Sequence, residues 1–261
     1  MKKLFFPMAL AALLVSGAAA QSVFEGTWKI DFSKVTFSTK PDEYLLQNGT
    51  YTCKSCTEVS APVKADGQDQ PIKDFPYADS VAVKVVNDHQ IHMTSKKDGK
   101  VVGESTMTVS PDGKTLTEDF YFVPQTGTPV KGNNESKRVA DGPPGSHAIS
   151  GSWQAKKFGL SDNAASFTYK INGNELTMTS SMGSSFTAKL DGTEAPYKGD
   201  PGTTSVRIKL IGTDTLEETD LRDGTILYVS RMTVGTDGKR AKIVQEDKRQ
   251  NTTSSFEAVK Q

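Results

Sequence analysis

The sequence predicts an all-β protein made of two tandem antiparallel meander barrels of eight to nine strands each. Three observations carry this: a repeat at a fixed offset, alternation of apolar residues with period two, and turn dipeptides that punctuate the alternating runs. Gly26-Thr27-Trp28 returns as Gly151-Ser152-Trp153, and Met107-Thr108-Val109 as Met232-Thr233-Val234. Asp112-Gly113-Lys114 returns as Asp237-Gly238-Lys239, and each pair is 125 residues apart. Laid together without gaps, residues 63–114 and 188–239 agree at 19 of 52 positions, against about three expected from ordinary residue usage. Two copies make two domains rather than a solenoid.

Within each copy the alternation is that of half-buried strands. Val81, Val83 and Val85 share one face, as do Val206, Ile208 and Leu210. Asn48-Gly49, Asp98-Gly99 and Asp112-Gly113 separate the runs, echoed by Asn172-Gly173, Asp223-Gly224 and Asp237-Gly238. Such dipeptides tolerate the positive φ of a tight hairpin. The mature sequence has no run of strong helical period. A meander of short strands must hide its edges, and closure into a barrel removes them.

The first twenty residues read as an address. Lys2 and Lys3 precede an apolar run from Leu4 to Val15, which ends in Ser16-Gly17-Ala18-Ala19-Ala20. Small residues at −3 and −1 place signal-peptidase cleavage after Ala20. The run is shorter than the roughly 20 residues of a spanning helix, and no later run approaches that length. The domains expected are therefore a signal peptide at 1–20, a barrel at 21–140, a linker at 141–147 (Asp141-Gly142-Pro143-Pro144-Gly145-Ser146-His147) and a second barrel at 148–261. The destination expected is the periplasm or the medium. The whole chain has 31 basic and 31 acidic residues; cleavage removes two lysines and leaves a small negative balance. That argues against a nucleic-acid partner, since phosphate binding needs basic excess.

A Gly-x-Trp on the first strand of a meander resembles the lipocalin and fatty-acid-binding group. More specifically, each half resembles a bacterial exported lipocalin-like domain. The residues are Gly26-Thr27-Trp28, the turn from Asp66-Gly67 to Pro71, the hairpin Lys97-Asp98-Gly99-Lys100-Val101-Val102-Gly103 and Asp112-Gly113-Lys114. The second copy keeps Asp191-Gly192 to Pro196 but reads Arg222-Asp223-Gly224-Thr225-Ile226-Leu227-Tyr228 in the hairpin. The resemblance implies that a tryptophan plugs one end of each barrel under a basic residue from the last strand, a cation–π contact. The expected pairs are Trp28 with Lys137 or Arg138, and Trp153 with Lys260. It also implies a small apolar ligand inside one or both barrels, and no reaction. Met107, Phe120, Phe122, Tyr228 and Met232 are the cavity candidates.

Cys53 and Cys56 form Cys-Lys-Ser-Cys in β-like sequence. An exported setting favours a local disulfide. A zinc site with His89 and His92, or a redox centre, are the alternatives. Offset by 125 the positions are Met178 and Ser181, so the fold itself does not need the pair. Glu217, Glu218 and Asp220 could serve acid–base chemistry or hold a cation, but read as a solvated strand face. The aromatic run Phe120-Tyr121-Phe122 becomes Gln245-Glu246-Asp247 in the second copy, which places the better apolar pocket in the first. The sequence has no P-loop, no His-Glu-x-x-His and no Gly-x-Ser-x-Gly, so it calls for no cofactor, catalytic residue or metal. The functional expectation is a non-enzymatic ligand binder, with a filled-barrel interaction scaffold as the rival. Oligomeric state is left open.

Overall fold

The computed structural model describes residues 23–56 and 61–261; the signal peptide expected at 1–20 lies outside the described residues. Copy one contributes β1 (Gly26–Thr36), β2 (Asp42–Gln47), β3 (Thr50–Cys53), β4 (Val63–Lys64), β5 (Gln70–Pro71), β6 (Ser80–Asn87), β7 (Gln90–Lys97), β8 (Lys100–Val109), β9 (Thr115–Phe122) and β10 (Val130–Asp141). Copy two contributes β11 (Gly151–Leu160), β12 (Ser166–Asn172), β13 (Glu175–Ser180), β14 (Ser185–Lys189), β15 (Asp191–Lys198), β16 (Ser205–Leu210), β17 (Thr215–Arg222), β18 (Thr225–Val234), β19 (Arg240–Asp247) and β20 (Thr252–Lys260). Ten strands per copy stand where eight or nine were expected. Copy one reaches ten through two-residue strands on either side of the Asp66-Gly67 turn.

The hairpins form where the dipeptides predicted. At Asp98-Gly99 and Asp223-Gly224 both residues have positive φ, 51° and 74° in one case, 50° and 80° in the other. This is the mirror-image turn whose twist matches that of the flanking strands, and it excludes β-branched residues.

The two barrels do not follow the boundary between copies. Barrel 1 is a ten-stranded sheet in the order β4-β3-β2-β11-β10-β9-β8-β7-β6-β5, and barrel 2 is closed in the order β1-β12 through β20 and back to β1. The first strand of each copy has changed places. β1 lies between β12 and β20, with Trp28 opposite Phe167 on one side and Lys260 on the other. β11 lies between β2 and β10, with Trp153 opposite Asp42 and Arg138. The expected division at 141–147 is thus corrected. That segment runs from the last residue of β10 into the 142–150 loop of the β10–β11 hairpin within barrel 1, and the chain passes between barrels at 37–41 and again after β11.

The physical reason is contact rather than loop length: the nine residues 142–150 close β10 and β11 into a hairpin, while the five residues 37–41 join β1 and β2, which lie in different barrels. The amide of His147 donates to the Leu46 carbonyl at 2.9 Å, tying the loop to barrel 1. With β11 in the first slot of barrel 1, β1 fills the equivalent slot of barrel 2.

Each barrel has its own core. Leu46, Val83, Ile91, Met107 and Trp153 lie in that of barrel 1, and Phe24, Trp28, Leu176, Phe186, Ile208 and Met232 in that of barrel 2. The barrels also touch. Phe32 of β1 meets Phe158 of β11 edge to face at 5.5 Å. The Gln154 amide donates to the Ser38 carbonyl at 2.7 Å, and the Tyr77 hydroxyl to Asp200 at 2.7 Å. Among the described residues no helix is long and apolar enough to cross a membrane.

Candidate functional site: the barrel interiors and their ends

Each barrel is closed at one end by the same device. In barrel 2 the Trp28 indole donates to the Phe24 carbonyl at 2.8 Å, and the Lys260 ammonium lies 4.9 Å from the ring centre and donates to the Val23 carbonyl at 2.9 Å. In barrel 1 the Trp153 indole donates to the Ile149 carbonyl at 2.9 Å, with the Arg138 guanidinium 4.0 Å from the ring centre. Arg138 donates to the carbonyls of Gly113, Ala148 and Ser150. The four residues expected at barrel ends are all there, but the partners are exchanged. Trp28 is covered by Lys260, not by Lys137 or Arg138, and Trp153 by Arg138, because the tryptophan strands have swapped barrels. The basic residues stay on the strands that close each barrel.

Barrel 1 holds a cavity of about 220 Å³. Its apolar wall is Phe37, Tyr44, Met107, Leu116 and Phe158; its polar groups include Asp42, Glu118, Asn134 and Ser136. Phe37 comes from the segment that crosses between barrels, and Phe158 from the exchanged strand β11. The cavity is therefore completed by the exchange, and residues 21–140 alone would lack part of its wall. The Asn134 amide donates to Glu118 Oε2 at 2.9 Å. Burial raises the Asp42 and Glu118 carboxyls from their ordinary values, against hydrogen bonds from Ser55 to Asp42 and from Asn134 and Ser105 to Glu118. Desolvation likewise holds Tyr44 well above its usual range, so it stays a neutral phenol.

Of the five cavity candidates, Met107 lines this space. Phe120 stacks on Phe158 at 6.4 Å instead, over Gly132, where a Cβ would overlap the Phe120 ring. Phe122 is half-buried, paired with Val130 at the far end of β9. Met232 is packed in the core of barrel 2. Tyr228 carries the Arg249 guanidinium 4.7 Å from its ring centre.

Barrel 2 corrects the reading of Glu217, Glu218 and Asp220 as one solvated face. Glu217 does face outward, bridging Arg231 at 2.8 Å. Glu218 turns inward and accepts from the Tyr169 hydroxyl at 3.3 Å, and Asp220 Oδ1 is buried without a hydrogen-bond partner. Desolvation and the Asp220 charge raise Glu218 well above the carboxylate range, and desolvation raises Asp220 to about 6. Burial and the neighbouring carboxyl both favour the neutral form of Glu218. The signal was present in the sequence. Glu218 and Asp220 follow buried Leu216 at i+2 and i+4, and Glu118 follows buried Leu116 at i+2. Period two puts all three inside.

Cys53 and Cys56 form a disulfide, Cys53 buried beside Tyr44 on the neighbouring strand. With both sulfurs bonded to each other, neither offers a thiolate to zinc. His92 bonds the Thr106 hydroxyl at 3.1 Å, and among the described residues no group of three His, Cys, Asp or Glu is arranged to hold a metal ion.

The fold and interior define an all-β protein of two strand-exchanged ten-stranded barrels, with a cavity of about 220 Å³ in barrel 1. No protein-family model matches the chain, and no curated protein matches it.

Proposed function

We propose that the chain is an exported, non-enzymatic, lipocalin-like protein that takes a small, largely apolar molecule into barrel 1. The observation that carries this is the 220 Å³ cavity with its aromatic and thioether wall. Cavities of about 150 Å³ with apolar walls accept benzene, whereas drug-sized sites begin near roughly 300 Å³. The guest is accordingly of one-ring size, and an acyl lipid is too long. The tryptophan plugs under basic residues at both barrel ends support the lipocalin likeness. The leader pattern at 1–20 and the Cys53–Cys56 disulfide support export, since such bonds persist in oxidising compartments.

The test is uptake of toluene and indole by the purified protein, followed by NMR shifts of the Met107 methyl. The expected result is saturable binding that Ala155→Phe, a substitution that fills the cavity, abolishes without lowering the melting temperature by more than a few degrees. No uptake by the native protein, or equal uptake by the filled variant, overturns the reading in favour of a scaffold with closed barrels.

A further inference from the structure

We infer that the barrel 1 cavity selects a one-ring amine: an apolar body carrying an ammonium group that is received between Asp42 and Glu118. This rests on the binding reading above and names its ligand class.

Barrel 2 acts as an internal control. By strand register, Asp42, Glu118, Asn134 and Ser136 of barrel 1 occupy the stations of Phe167, Ile243, Phe256 and Ala258 in barrel 2. The fold is thus satisfied by four apolar side chains where barrel 1 places four polar ones. Carboxyls in a barrel interior lose hydration; Glu218 and Asp220 of barrel 2 meet that loss by keeping a proton, and in barrel 1 a cationic guest would offset it directly. Among the described residues lining the cavity the one basic side chain is Lys157, whose ammonium is 2.7 Å from Glu135 and whose side chain is 70% exposed. Asn134 on β10 anchors one oxygen of Glu118 and aims the carboxyl at the cavity. Asp42 enters from β2, with β11 and β10 between the two acid-bearing strands.

The remaining wall suits the rest of such a guest. Phe37, Tyr44 and Phe158 offer ring faces to an apolar body or to a cation, and Met107 fills gaps of irregular shape. Scaling from the benzene case, the cavity accommodates roughly nine non-hydrogen atoms. A benzene ring with a two-atom tether and an amine has that size. An anion of the same size meets two carboxyls and is rejected, and a neutral alcohol forgoes the charge-assisted contact.

Three ligands of near-equal size decide the matter: phenethylamine, 2-phenylethanol and phenylacetate, titrated calorimetrically into the full chain at neutral pH. The expected result is phenethylamine bound at least tenfold tighter than 2-phenylethanol, with phenylacetate unbound. Glu118→Gln and Asp42→Asn should each reduce the ratio of amine to 2-phenylethanol affinity several-fold, with circular dichroism and melting temperature reporting that the variants fold. Equal or tighter binding of the alcohol, or a preference that survives in the double variant, overturns the amine assignment and leaves the cavity reading standing. If none of the three ligands, toluene or indole binds, both readings fall. The native-protein comparison decides even if a variant fails to fold.

Discussion

Arg138 and Lys260 hold the same station at the ends of two barrels and hold it differently. Arg138 spreads over Trp153 at 4.0 Å and satisfies three carbonyls, whereas Lys260 sits 4.9 Å from the Trp28 ring centre and satisfies one. The barrels they close differ in the same direction. Barrel 1 is drawn from one continuous stretch, β2 to β11; barrel 2 depends on β1, separated from the rest of it by all of barrel 1. Their interiors differ too, with acids at Asp42 and Glu118 in one and at Glu218 and Asp220 in the other. The duplication kept the strand plan and the end plug but left each barrel free to choose where its interior is polar.

The sharpest way to break this comparison is to cut the chain along each boundary. Residues 42–160 contain every strand of barrel 1, so that segment should give a cooperative thermal transition and β-sheet circular dichroism. Residues 148–261 lack β1 and carry an orphaned β11, and should stay unfolded or aggregate through the exposed edges of β12 and β20. A folded 148–261 segment would show that the exchange is dispensable.

A smaller effect separates the two plugs. Arg138→Ala strands the carbonyls of Gly113, Ala148 and Ser150 and uncovers Trp153, costing about 2–4 kcal/mol in denaturant unfolding. Lys260→Ala removes one such bond and a longer cation–π contact, costing about 1 kcal/mol. Equal losses would mean that the tryptophans alone close the barrels.

The smallest effect distinguishes the interiors by pH. Folding raises the Glu218 and Asp220 carboxyls, so the folded state holds a proton that the unfolded chain gives up at lower pH. Stability from this pair is therefore full below the ordinary carboxylate range and is lost as pH rises through about 6 and beyond. Between pH 4.5 and 8 the native protein should lose stability more steeply than Glu218→Gln, in which only Asp220 of the pair still titrates, read from paired melts. Parallel pH curves for the two proteins would place the proton elsewhere.

Much of this was legible in the residues. The 125-residue offset, the alternating strands and the Asp-Gly hairpins appear where they were expected, because pleat and turn are local consequences of side-chain order. The Trp and basic residues of the plugs were legible as a set, but their pairing was not. Glu218 was read as solvated from its charge, although its register with Leu216 put it inside; alternation was the stronger signal and charge the weaker. Phe120 was read as cavity wall, but the missing side chain at Gly132 lets its ring settle beside Phe158 instead.

By itself the sequence determined that the chain is two copies of one antiparallel unit, where its Asn-Gly and Asp-Gly turns fall, and which Trp and basic residues gather at the barrel ends. Those properties follow from spacing along the chain. Only the tertiary structure decided which barrel each first strand joins and that the exchange completes a cavity. Two strands that share the Gly-x-Trp start could enter either slot, and the choice rests on contacts between residues more than a hundred positions apart, such as those of Leu46 with His147 and Ser150.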